Sequence, residues 1–168
     1  MIKMMEPLNG EIKQEAATTR RVLERVPADK LTWKPHPKSM SLGQLAMHVA
    51  MIPGGISKIA QVDDFEVNPA NFNPPVPNNT QEILTALDAS VKAAQEYLSG
   101  MSESAALGNW RATANGREVM AMPRAVMLRS IMFNHWYHHR GQLSVYLRML
   151  EVPVPMIYGP SADENPFA

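Results

Sequence analysis

Ile12, Ala16, Thr19, Leu23 and Val26 recur three and four residues apart, the spacing of one helix face. They predict an amphipathic helix from about residue 6 to residue 26, ended by Pro27 and the stretch Ala28 to Lys30. Trp33-Lys34-Pro35-His36-Pro37-Lys38 cannot be helical throughout, because each proline pushes its predecessor towards an extended conformation. Ser41 stands at an N-cap position ahead of Leu42 and opens a second helix. Its apolar face carries Leu45, His48, Ile52, Ile56 and Ile59, and Pro53-Gly54-Gly55 predicts a kink or a short break.

From Asp63 to Asn79 the chain is rich in proline and asparagine and reads as a long loop. Thr80 then caps a third helix with a stripe of Ile83, Leu84, Leu87, Val91, Ala94 and Leu98, and Gly100 is its expected stop. Asn115-Gly116, flanked by Trp110, Ala112, Thr113, Val119 and Met120, is a hairpin signal for a small two-stranded turn. Pro123 suits the first turn of a fourth helix running to about Leu150. The tail through Val152-Pro153-Val154-Pro155 and Tyr158-Gly159-Pro160 is expected to be ordered but not helical. Four helices with long connections predict an all-α fold, a four-helix bundle with crossover loops.

Composition adds limits. The 168 residues fit one domain, expected over 1–168, and 45% hydrophobic with 19% charged residues is an ordinary globular balance. Sixteen basic and sixteen acidic side chains cancel, which gives no support for a nucleic-acid or membrane-surface role. With no cysteine there is no disulfide and no thiolate ligand, so a thiol in the chemistry must come from a bound small molecule. The charged residues among Met1 to Glu15 leave no signal-peptide core, and no apolar stretch reaches the ~18 residues of a membrane span. The expected location is cytoplasmic. The thirteen methionines are scattered, and they read as flexible core filler rather than a metal motif.

The candidate chemistry sits in Asn134-His135-Trp136-Tyr137-His138-His139-Arg140-Gly141-Gln142. Residues four apart on a helix lie about 40° from each other, so His135 and His139 stack on one face. Leu128, Ile131, Met132, Gln142, Tyr146 and Met149 share it, which points both histidines inward, as His48 is on the second helix. A lone histidine on an apolar face is more often a hydrogen-bonded core residue than a ligand. Three on inward faces are costly unless their nitrogens find partners, and a shared metal ion satisfies all of them. His138, about 60° from His135 in the opposite sense, is the rival of His139. His36, between two prolines, reads as surface. Gln142 and Arg140 flank the ligands as supporting partners, with Arg140 expected to face solvent or a dimer partner; Asp63, Asp64, Tyr158, Asp163 and Glu164 read as solvated rather than catalytic.

The chain resembles the DinB, or DinB/YfiT-like, family over nearly its whole length. The resemblance is carried by Trp33 to Gly43 leading into Leu45-Ala46-Met47-His48, by His135 and His139-Arg140-Gly141-Gln142-Leu143, and by Ile157 to Glu164. It implies a four-helix bundle, often a homodimer, with His48, His135 and His139 holding a divalent ion such as nickel or zinc. It thereby selects His139 over His138. It does not imply a DNA-repair polymerase; characterised relatives include bacillithiol transferases and mycothiol-dependent maleylpyruvate isomerase. Closed structural zinc sites usually have four protein ligands, so a three-histidine site has the form of a catalytic one, able to acidify bound water or bind a thiol as thiolate. The expected function is metal-assisted activation of a small thiol or water against an electrophilic small molecule. The alternative is a non-catalytic, metal-stabilised binding or stress-response protein.

Overall fold

The structure is a computed structural model that describes residues 5–68 and 73–167. The first predicted helix forms as α1 (Glu6–Leu23), with Pro7 in its first turn and Ile12, Thr19, Val22 and Leu23 buried. It ends three residues before the expected Val26, and a single 3₁₀ turn at Ala28–Lys30 comes next. Ser41 caps α2 (Leu42–Ile59) as the sequence predicts. Its hydroxyl accepts from the Gln44 N–H at 3.2 Å, and Gln44 Oε1 accepts from the Ser41 N–H at 3.0 Å. This capping box satisfies two donors that a bare helix end would leave open.

Of the kink or short break expected at Pro53-Gly54-Gly55, the break is absent, and α2 runs through as one helix. Proline has no N–H to give the preceding turn, and the next donor, the Gly54 N–H, is met by Ser90 Oγ of the neighbouring helix at 2.8 Å. A Cβ at Gly54 would lie 2.9 Å from the Ser90 Cα, so the missing side chain lets the two helices touch. That neighbour is α3 (Thr80–Gly100), buried through Ile83, Leu87, Ala94 and Leu98. Its cap is Asn79 rather than the expected Thr80. The Asn79 side chain accepts from the Glu82 N–H, while the Thr80 hydroxyl donates to the Val26 carbonyl.

The loop expected from Asp63 to Asn79 contains a strand, β1 (Asp64–Glu66), and residues 69–72 of that loop lie outside the described residues. After α3 comes a short helix, α4 (Glu103–Leu107), which the sequence pattern does not signal. The Asn115-Gly116 hairpin is present, formed by β2 (Asn109–Ala114) and β3 (Arg117–Pro123), with φ of 52° and 72° at the two turn residues. Two consecutive positive values are what a tight hairpin turn needs, and asparagine and glycine tolerate them best. β1 joins β2 in parallel, giving a sheet in the order β1-β2-β3. The fold is therefore mostly helical with a small three-stranded sheet, not all-α as the pattern predicts.

The final helical run starts after Pro123 as α5 (Arg124–Met127), widens into a π-helical segment at Leu128–Phe133, and continues as α6 (Asn134–Met149). The tail beyond it is non-helical, as expected. α2 packs against α3 and against the final run, and α1 packs chiefly against α3. Among the described residues no helix is long and apolar enough to cross a membrane.

A π segment carries extra residues per turn, so it rotates the downstream part of the helix relative to a straight α-helix. The face of α6 turned most fully inward is Trp136, Arg140, Leu143 and Leu147, not the face through Gln142 and Met149, both of which are exposed. Arg140 is accordingly buried, at 1% exposure, instead of facing solvent or a partner. It donates to Glu15 Oε2 at 2.6 Å, to Thr19 Oγ1 at 3.1 Å and to the Tyr158 hydroxyl. Tyr158 in turn donates to Glu15 Oε2 at 2.9 Å, which fastens the tail to α1 and α6 together. Removing one partner of a buried pair strands the other charge. Arg140→Ala is therefore expected to lower stability by about 3–5 kcal/mol, measured by denaturant unfolding. The Glu15→Leu/Arg140→Met double variant should lose much less; equal losses would mean the pair is not what these residues contribute.

Candidate metal centre

His48 lies at the middle of α2, seven residues beyond its Ser41 cap, and His135 and His139 lie on consecutive turns of α6 immediately after the π segment. All three are half-buried, at the edge of the inward face rather than at its centre. Their ring centroids are 5.0 Å (His48–His135), 4.5 Å (His48–His139) and 4.4 Å (His135–His139) apart. One ring nitrogen from each lies within 4.8 Å of the other two, and His48 Nε2 is 2.9 Å from His135 Nε2. A tetrahedral ion with nitrogen ligands at about 2.0–2.1 Å spaces its donors roughly 3.3 Å apart, so the rings stand within small adjustments of that geometry.

The electrostatics agree with this. Burial, with the nearby His139 and His135 as lesser causes, pushes the His48 pKa down to about 4. Burial, with His139 and His138, does the same to His135, also to about 4. His139 is lowered mainly by burial, against a raising bond from Gln142. All three imidazoles are thus neutral near neutral pH and offer lone pairs. His139 Nδ1 is 2.7 Å from Gln142 Oε1; an amide oxygen only accepts, so Nδ1 carries the proton and Nε2 keeps the free pair. Two neutral Nε2 atoms facing each other can share only one N–H. With the His139 ring beside them, the cluster is compatible with a divalent metal site.

The other residues singled out from sequence are elsewhere. His138 is exposed, with its ring 4.9 Å from that of His139 but outside the converging group. His36 lies exposed in its loop, accepting from the Lys38 N–H. Asp63 pairs with Arg124, Asp64 with Arg111 at 2.6 Å, Asp163 with Arg148, and Glu164 with Arg25 at 2.8 Å. Among the described residues no carboxylate joins the three histidines.

Sequence reasoning missed the cavity beside the cluster. It measures about 600 Å³ and has His48 and His135 in its wall. Met51, Ile52 and Ile56 of α2 and Ile131 of the π segment face it, opposite Phe65 and Trp110 of the sheet. The Phe65 and Trp110 rings are stacked at 6.5 Å, a contact set by the pairing of β1 with β2. A strand of three residues leaves no periodic signal, so the Phe65 part of this wall is unannounced, while the Trp110 part belongs to the hairpin that Asn115-Gly116 predicts.

A model of the DinB family matches residues 1–166, and the chain belongs to the DinB family. Over 150 residues it is 27% identical to the protein YrdA of Bacillus subtilis, covering 89% of this chain and 85% of that one. Among solved structures it resembles a DinB-like protein from Bacillus cereus ATCC 10987, with a TM-score of 0.65 and 24% identity over 86% of this chain and 91% of that one. A DinB-like protein from Bacillus subtilis gives 0.61 and 18%, over 90% and 93%. At these identities the structural likeness speaks for the fold.

The depressed histidines make a stability prediction for metal-free protein. The folded pKa values of His48 and His135 lie below the ordinary 6.5, so on acidification the unfolded chain takes up protons first. Their contribution is complete above about pH 6.5 and is lost as the pH falls towards about 4. Urea unfolding after chelator treatment should show wild type losing more stability than His48→Asn between about pH 7 and pH 5; parallel losses would contradict it.

Proposed function

We propose that this protein is a metal-dependent enzyme acting on a small molecule. In this reading α1, α2, α3 and the 124–149 run serve as a four-helix bundle on which His48, His135 and His139 hold a divalent ion such as nickel or zinc. The observation that carries it is the convergence of three neutral imidazoles from two helices, two of which, His48 and His135, stand in the wall of a cavity large enough for a substrate. Three neutral ligands leave an ion its full charge, and the absence of a fourth protein ligand among the described residues is the arrangement of catalytic rather than closed structural sites.

When bound, such an ion supplies Lewis-acid chemistry, lowering the pKa of water or of a thiol. The chain's own part is to position and enclose. Gln142 fixes the tautomer and orientation of His139. The apolar walls exclude water and hold an electrophilic substrate close to the histidines. The chain has no cysteine, so a thiol nucleophile is a second small molecule. A homodimer is part of the same proposal, and light scattering should find a species of two chains.

Elemental analysis of purified protein, with thermal melts of His48→Ala and His139→Ala, tests the reading. Near one equivalent of metal per chain is expected in the wild type. Both variants should lose most of it while keeping a cooperative melt, and turnover of alkylating or epoxide substrates with added thiol should vanish with the metal. Collapse of the fold in both variants would favour the non-catalytic, metal-stabilised alternative. Metal content unchanged by either substitution would refute the site.

A further inference from the structure

The cavity beside the histidines is built with one side chain missing. His48, Met51, Ile52, Gly55, Ile56 and Ile59 line it from α2, at the three- and four-residue steps of a single helix face. Every residue of that set except Gly55 brings a side chain. Glycine in a helix interior costs stability relative to alanine. At Gly54 a Cβ would strike the backbone of Ser90. At Gly55 no such contact forbids a side chain, as none does at Gly10 or Gly141, but of these three Gly55 is the one in the cavity wall. A Cβ there would meet nothing within 4 Å, and its backbone is ordinary helix, without a positive φ. Position 55 is an exposed part of the cavity wall, so a side chain there would extend into open space at the cavity.

The chemistry of the walls narrows what enters. Phe65 and Trp110 present aromatic surface, and Met51, Met120 and Met127 present flexible thioether chains that adapt to varied apolar shapes. Among the described residues Lys58 is the one ionisable side chain in the wall beside the two histidines, and no aspartate or glutamate lines it. The acids nearest in sequence are engaged: Asp63 and Asp64 by arginines, Glu66 by the Thr113 hydroxyl. Lys58 forms no ion pair among the described residues. A cationic ligand would find no counter-charge here, whereas an anionic group would find one.

We propose that this cavity takes an amphipathic small molecule with an apolar, preferably aromatic, body and a single anionic group directed to Lys58, and that Gly55 is the residue that keeps the space open. This deepens the proposed function by naming the substrate class, and it rests on that reading only for the claim that the occupant is a substrate.

The test uses metal-free protein, so its outcome is separate from that of metal binding. Two probes share a naphthyl–phenyl body: 1-anilinonaphthalene-8-sulfonate, which is anionic, and N-phenyl-1-naphthylamine, which is neutral. Fluorescence titration should give one-to-one binding of both to wild type, with the sulfonate bound about tenfold more tightly. Lys58→Met should remove that preference while leaving the neutral probe unaffected. Gly55→Phe should weaken both at least about tenfold, with the melting temperature retained. If Gly55→Phe fails to fold, Met51→Glu at an exposed wall position serves instead, and should weaken the sulfonate more than the neutral probe. Undiminished binding of both probes to Gly55→Phe would overturn the pocket. A sulfonate preference that survives Lys58→Met, or none in the wild type, would overturn the assignment of the anionic group.

Discussion

The contact between α2 and the 124–149 helical run governs the rest of this structure, because it brings an imidazole from the first against two from the second. Neither helix alone supplies a site. His135 and His139 stack on neighbouring turns of one helix, and only the approach of His48 closes the triangle. The same approach leaves a gap on the side where the sheet folds over α2, and that gap is the cavity. Site and cavity are two consequences of one packing arrangement.

Holding that arrangement falls to the centre of the buried face of α6. There Arg140 is locked into α1 through Glu15 and Thr19, and Tyr158 draws the tail onto the same pair. A buried ion pair contributes little net stability but is costly to misalign, so it suits fixing the rotation of a helix about its axis. Rotation is the variable that matters for His135 and His139, which sit at the edge of the buried face. A small turn one way would put them in water, and the other way would press them into the core. The π segment just before His135 sets the starting phase of that rotation, and the Glu15–Arg140 pair holds it.

Much of this was legible in the chain. The three- and four-residue spacing of apolar positions located the long helices, and Ser41 ahead of α2 and Asn115 with Gly116 are local chemistries that fix a cap and a turn wherever they stand. The histidine spacing placed two rings on one helix face. What could not be read depends on partners far away in sequence. β1 is only Asp-Phe-Glu and exists because β2 lies beside it. Arg140 looks like a surface residue until Glu15 arrives from 125 positions earlier. The Gly54 N–H that follows Pro53 is met by a hydroxyl from α3, 36 positions on. The face of α6 was misplaced by the straight-helix assumption, which a π segment breaks without a sequence signature.

Whether three imidazoles gather around one cation is measured directly by the X-ray absorption spectrum of protein loaded with one equivalent of zinc. Three imidazole nitrogens at about 2.0–2.1 Å from the ion are expected, falling to two when His48 is replaced by alanine. A shell of oxygens alone, or an imidazole count that His48→Ala leaves unchanged, would contradict it.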